Sequence, residues 1–253
     1  MNWIGFWTLF LKELDRTRAV FLQAVLSPVM TTALYFIVFG AAIGSRIAHI
    51  GGVPYAAFIV PGLIIMAVIP NALSASSSGI YFLKFRGAIM DLLSAPLSGV
   101  EIVAAFALSA MVRALLIGGI IYAIARLFTP IGIAHPFAAI GITLIIALAF
   151  ATFGVIAGLW ADNFDQLAFV PTLILTPLSF LGGVFYSTHM LSPLWQRITL
   201  ANPVYYMVDS LRWAFFGTAT TTPLLSIAIT LAFFVLCLAT AIILFRTGYK
   251  IMA

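Results

Sequence analysis

The chain has 253 residues, 64% of them hydrophobic and only 8% charged, with a formal net charge of +5. A mean hydropathy of +1.19 excludes an ordinary water-soluble domain, because a globule of this length needs a largely polar exterior. The basic balance comes without a basic stripe on a soluble surface, so nucleic acid is not an expected partner.

The pattern describes an all-α, polytopic membrane protein. The hydrocarbon core is about 30 Å thick and a helix rises about 1.5 Å per residue, so about 20 apolar residues cross it. Six runs reach that length: residues 20–43, 55–74, 100–125, 137–159, 167–186 and 223–245. They are too long for barrel strands and lack a period-two alternation, so the expected spans are helices.

Ahead of the first run, residues 1–18 read as a helix lying in the membrane interface. Trp3, Trp7, Phe10, Leu11 and Leu14 share one side at helical spacing, with Gly5, Thr8, Lys12 and Arg16 opposite and Leu9 as the exception. The charges follow the apolar residues instead of preceding them, unlike a secretion signal.

Residues 75–99 form a connection several times longer than the about 2 to 8 residues that join most helix pairs. Within it, Phe85, Ile89, Leu92 and Leu93 fall on one side of a short helix, and Lys84, Gly87, Asp91 and Ser94 on another, with Arg86 among them. Such a helix either rests on lipid headgroups or docks on a cytoplasmic partner. Orientation follows from the basic residues. Lys12, Arg16, Arg18, Lys84, Arg86, Arg246 and Lys250 fall on the side of the termini, against Arg46, Arg126, Arg197 and Arg212 on the other. Both termini are expected in the cytoplasm.

Arg113 stands near the middle of the third run. An arginine there costs about 2.5 to 3.5 kcal/mol on insertion scales, so it needs a bundle interior or a wet cavity. It either lines or gates a pathway, or it bonds carbonyls freed by proline in another span. The fifth run carries Pro171 and Pro177 and is expected to kink. After it, residues 182–217 read as an outer re-entrant segment. The helix at 204–216 is too short to span, with Tyr205, Tyr206, Trp213, Phe215 and Phe216 at interfacial depth. Asp209 and Arg212, three apart, are placed to pair. The alternative for this segment is an aromatic anchor belt.

Other chemistry finds little support. His49, His135 and His189 lie far apart without metal-ligand spacing, so no metal is expected. No catalytic Ser/His/Asp or paired-carboxylate arrangement can be drawn, and the single cysteine, Cys237, lies inside the last span. The chain has no G-x-x-x-x-G-K-[ST] phosphate loop, and no span has a central carboxylate: Glu101 sits at a span edge, Asp162 and Asp165 in "ADNFDQ". A powered transporter built this way must borrow its energy.

At this point the sequence resembles the type-2 ATP-binding-cassette export permeases, close to their YadH-like branch. The likeness spans nearly the whole chain. It rests on "LYFIVFGAAIGSRI", "FIVPGLIIM", "KFRGAIMDLLSAPLS", "VPTLILTPLSFLGGVFYS" and "LANPVYYMVDSLRWAFFG". The resemblance implies a non-enzymatic permease subunit of the bacterial inner membrane, paired as a homodimer or with a similar chain and seated on a cytoplasmic ATP-binding subunit that carries ATP and Mg. It makes residues 84–97 a coupling helix whose docking residues are Lys84, Phe85, Arg86, Ile89, Asp91, Leu92 and Leu93. It matches residues 182–217 to the family's outer re-entrant helices and Arg113 to an arginine in the third span, and the pathway or gate is expected at Arg113, Tyr205, Tyr206, Asp209, Arg212, Trp213 and Phe216. Cargo would be drug, lipid or polysaccharide, moved outward among membrane lipids. The alternatives are a self-contained channel or secondary carrier, and a membrane anchor without transport.

Overall fold

A computed structural model describes residues 2–44, 46–47 and 49–250; Ser45 of the first motif lies outside them. The described chain is helical apart from a two-residue hairpin, β1 (His49–Ile50) with β2 (Val53–Pro54). In chain order the helices are α1 (Trp3–Ala19), α2 (Phe21–Ala42), α3 (Tyr55–Phe58), α4 (Val60–Phe85), α5 (Ile89–Ser94), α6 (Gly99–Phe128) and α7 (Pro136–Trp160). There follow α8 (Phe164–Phe169), a π-helical stretch Val170–Leu175, α9 (Thr176–Phe180), a 3₁₀ turn Thr188–Met190, α10 (Pro193–Leu200), α11 (Pro203–Phe216) and α12 (Pro223–Thr247).

Among the described residues, four helices are long and apolar enough to cross a bilayer: Tyr55–Phe85, Gly99–Phe128, Pro136–Trp160 and Pro223–Thr247. A fifth crossing appears if α1 and α2, bent by 60° at their junction, are counted together. The Phe164–Phe180 segment is helical and apolar but falls in the 10–17-residue class, short of the six-run expectation.

The second run does not end at Ser74. α4 continues to Phe85 because Ser76, Ser77 and Ser78 bond back to the carbonyls of Ala72, Ser74 and Ala75 within their own helix, so the serine cluster neither breaks it nor opens a loop. Helix α4 is also the centre of the core, with Ile65, Val68, Ile69, Ala72 and Leu73 fully buried against α6 and α7.

Small residues allow that close packing. A Cβ on Gly154 would lie 2.2 Å from Ser76 Oγ and 2.4 Å from Leu73 O, and one on Gly158 2.6 Å from Ser77 O. Ser76 Oγ crosses the same seam to Ala151 O at 2.7 Å. Gly154→Val is therefore expected to cost roughly 1–3 kcal/mol through forced separation of α4 and α7. A lowered thermal-unfolding midpoint in detergent checks this against Gly141→Val, on the same helix but with nothing within 4 Å of the added carbon.

The interfacial helix divides differently from its apolar pattern. Trp3, Ile4, Trp7 and Leu11 face outward, while Phe6, Leu9 and Glu13 are buried against the bundle. Leu9, the exception in the sequence pattern, belongs to the inner face. The basic side is not free either: Arg16 turns inward to donate to Ser78 Oγ and Ala75 O. At its start, α1 is tied to α6 through Glu101, whose carboxylate accepts from the Asn2 and Ser98 amides and caps its own helix with Ser98.

Candidate functional site

The fifth run forms one wall of a cavity of about 560 Å³. Its helix begins at Asn163, whose side chain caps it, passes through the π-helical stretch at Pro171, and stops at Phe180. The stop comes six residues before the expected end at 186, because Gly183 takes φ +73° and turns the chain. Pro171 and Pro177 deprive the ladder of two donors, and the widened turn accommodates the loss. Leu175, Thr176, Ser179 and Phe180 line the cavity from this side.

The facing wall is α2. Ser27, Pro28, Thr31, Thr32 and Tyr35 recur at three- and four-residue spacing and present one polar stripe to the cavity. The opposite stripe, Leu22, Leu26, Met30, Leu34 and Val38, is exposed. Helix α4 supplies the back through Met66, Ala67, Pro70, Asn71 and Ser74. Arg113 reaches in from α6, its Nη2 3.4 Å from Asn71 Oδ1 and its Nε buried without a partner. The two sequence readings of Arg113 thus meet in one place. It lines a cavity, and its hydrogen-bond partner is the side chain next to Pro70 instead of a freed carbonyl.

An aromatic group closes the end of the cavity nearer the hairpin. Tyr35 and Phe180 lie 6.4 Å apart at the cavity wall, and Phe185 stacks on Phe39 at 4.2 Å behind them. At the other end Arg113 also lines a second cavity of about 400 Å³, shared with Arg16 and Arg86.

The residues expected to dock a partner do not share one face. Lys84 closes the last turn of α4 and points inward, donating to Leu159 O at 2.6 Å and Ala161 O at 3.1 Å. It thereby caps the carboxyl end of α7, as a cation does at a negative helix end. Asp162 lies 3.9 Å from it and receives a hydrogen bond from Lys250, whose ammonium holds the Asp162 carboxyl below the usual carboxylate range. Gly87, at φ +71°, breaks the helix, and Ile89 opens α5 as a core residue in contact with the cluster of Phe6, Ile102, Phe106 and Phe245. Leu92 and Leu93 are half-buried on that cluster. The exposed side is Phe85, Arg86, Met90 and Asp91. The amphipathic pattern is real, but its aliphatic face belongs to the chain itself.

In the 182–217 segment, α11 is buried along most of its length. Asp209 and Arg212 form no ion pair with each other among the described residues. The Asp209 carboxylate accepts from Thr220 N at 2.9 Å, Thr221 N at 3.0 Å, Thr221 Oγ1 at 2.6 Å and Ser226 Oγ at 3.3 Å. Arg212 donates to Gly183 O at 2.9 Å and lies over the Phe58 ring, 3.9 Å from its centroid. Each has found partners that hold α11 in place: Asp209 the start of α12, Arg212 the Gly183 turn. Tyr205 is fully buried, not interfacial, and Tyr206 donates to Leu200 O. Trp213 stacks on His135 at 4.9 Å, and Phe216 lines smaller cavities with His189 and Arg212 or with Pro130. Of the expected pathway residues, only Arg113 touches the large cavity.

Sequence reasoning missed Ser27, Thr31, Thr32, Tyr35 and Asn71. Their signal was present: polar side chains at helical spacing inside apolar runs.

A family model described as ABC-2 type transporter matches residues 5–216. The chain is 38% identical over 243 residues to the inner membrane transport permease YadH of Escherichia coli K12, covering 94% of both chains. It is 26% identical over 226 residues to nodulation protein J of Neorhizobium galegae, covering 86% of this chain and 82% of that one.

Proposed function

The chain belongs to the ABC-2 type transporter family, and from that premise we propose that it moves amphipathic cargo out of the cytoplasm, driven by ATP hydrolysed in a separate subunit. It is a multi-pass inner-membrane transport permease subunit. The observation that carries the finer reading is the polar cavity inside an otherwise apolar bundle. A stripe of Ser27, Thr31, Thr32 and Tyr35 facing Asn71, Thr176 and Ser179 offers hydrogen bonds to a polar group that lipid would not.

The walls of that cavity are also the parts best able to move. Of the described side chains of α2 only Phe36 is buried, the helix meets α1 at a 60° bend, and the opposite wall contains the proline-bearing π-helical stretch. Sparse burial and an interrupted hydrogen-bond ladder lower the cost of local rearrangement. Tyr35 and Phe180 would separate when cargo leaves. In this reading α2 and the Phe164–Phe180 helix are the remaining two of six passes, with both termini in the cytoplasm, and a second copy covers the open side of the cavity. An ATP-binding subunit, with its ATP and Mg, docks on Phe85, Met90 and Asp91.

Arg113→Leu tests the path. Reconstituted with the proposed ATP-binding subunit, the variant is expected to lose about tenfold or more of ATP-dependent export while inserting normally. Arg113→Lys should recover part of the loss, since an ammonium restores charge but not the planar fork. Export is read as outward transfer of a fluorescent phospholipid analogue in proteoliposomes. Full transport by the Leu variant, or transport that persists without ATP, would overturn the reading, the latter in favour of a channel or secondary carrier.

A further inference from the structure

We infer that the three-arginine cavity beside α1 binds the phosphate-bearing headgroup of an amphipathic molecule, so that the path takes anionic, lipid-like cargo. The inference rests on reading the larger cavity as a transport path. The smaller cavity, about 400 Å³, is lined by Arg16, Arg86 and Arg113, by the hydroxyls of Thr17 and Ser78, and by the apolar Phe82.

Two of its three charges have no counter-ion among the described residues. Glu13 pairs with Arg16 at 2.7 Å, but neither Arg86 nor Arg113 forms an ion pair among the described residues. Arg16 and Arg113 each also keep a buried Nε with no acceptor. Buried donors without partners and like charges around one space both cost free energy, and both costs fall when an anion enters. Guanidinium forks match the paired oxygens of a phosphate, whereas the Thr17 and Ser78 hydroxyls are already donating to Glu13 O and Ala75 O, so the arginines carry the recognition.

Two observations favour a headgroup over free phosphate. Trp3 and Trp7 are exposed on the side of α1 facing away from the core, the position aromatic side chains take at a bilayer surface, which sets α1, and with it the Arg16 and Thr17 wall of the cavity, at headgroup depth. Arg113 is shared with the larger cavity, whose walls add Met66, Leu175 and Phe180. A headgroup held at the arginines therefore has apolar surface beside it for its chain, whereas an inorganic anion would leave that surface unused.

The test is equilibrium binding to the full chain in phosphatidylcholine nanodiscs, without any ATPase, using fluorescent-tailed phosphatidic acid, fluorescent-tailed phosphatidylcholine and inorganic pyrophosphate as competitor. Phosphatidic acid is expected to bind about tenfold tighter than phosphatidylcholine, a difference of about 1.4 kcal/mol. Arg86→Gln and Arg113→Gln should each erase most of that preference, Arg86→Lys should keep part of it, and Lys12→Gln, on exposed α1 outside the cavity, should keep all of it. Unchanged size-exclusion profiles establish that the variants are folded. Equal binding of the two lipids, or a preference untouched by both Gln variants, would overturn the site. Displacement by pyrophosphate at the lipid's own affinity would overturn the headgroup assignment in favour of a free-anion site. Binding without transport would count against the proposed function alone; transport without this preference, against the inference alone.

Discussion

An aspartate at Ile89 is expected to abolish accumulation of the folded chain, whereas an aspartate at Met90, the next residue, is expected to leave the fold intact and release the ATPase. Ile89 is 3% exposed and Met90 52%. At Ile89 the new carboxylate would enter the apolar cluster of Phe6, Ile102, Phe106 and Phe245, none of which can pair with it. An unpaired buried charge costs several kcal/mol, a large share of the about 5–15 kcal/mol that holds a typical protein folded. At Met90 the charge would face outward beside Phe85 and Asp91, where only a partner's surface would feel it. Adding a second negative charge there should desolvate badly in a helix-in-groove contact and repel whatever Asp91 already avoids. Membrane yield and co-purified ATPase, measured together, read both effects. A Met90→Asp chain that holds its ATPase and exports normally would move the docking surface elsewhere; a stable Ile89→Asp chain would contradict the packing of α5.

That pair shows what the sequence could and could not disclose. Periodicity separates Ile89, Leu92 and Leu93 from Asp91 and Ser94, but it cannot say which face is covered by the chain's own helices and which by another protein. Both coverings favour apolar residues, so the expected docking set takes in the buried Ile89 together with the exposed Phe85 and omits the exposed Met90. Membrane-facing residues pose the same ambiguity in α1, where Trp3 and Trp7 point away from the core that Phe6 and Leu9 enter.

The long helices were legible because about 20 apolar residues in a row have few other uses. Their ends were less so. The serines after Ser74 look like a loop until their hydroxyls are seen bonding back along α4. Asp209 and Arg212 have the spacing of an ion pair, yet spacing says nothing about competing partners. The amides before α12 and the Gly183 carbonyl, distant in sequence, win both side chains. The cavity itself is a tertiary object: each polar stripe is readable within its helix, but that three of them close around Arg113 is not.

Replacing Asp209 by Ala is expected to free the segment that leads into α12. The carboxylate is fully buried and holds two backbone amides and two hydroxyls, all from residues 220–226, where the chain turns into α12. The amides of Thr220 and Thr221 precede the N-cap Thr222, so the negative charge also stands at the positive end of that helix. Charge-assisted bonds of this kind contribute about 1.5–3 kcal/mol each at best, and Thr220 is exposed enough for water to replace part of the loss, so a net cost of about 2–4 kcal/mol is expected. Asp209→Asn, which keeps one acceptor oxygen and the shape, should cost less. The cost should be local. Arg212 still anchors α11 to the Gly183 carbonyl, and the Ala134 and His135 amides still donate to Phe215 O and Ala214 O. Hydrogen exchange should therefore accelerate in residues 217–226, by about tenfold or more, while the centres of α4 and α7 keep their protection. Equal protection of residues 217–226 in wild type and Asp209→Ala would mean that the carboxylate does not hold this segment. Loss of protection in α4 as well would mean that the strut supports the whole bundle and not that segment alone.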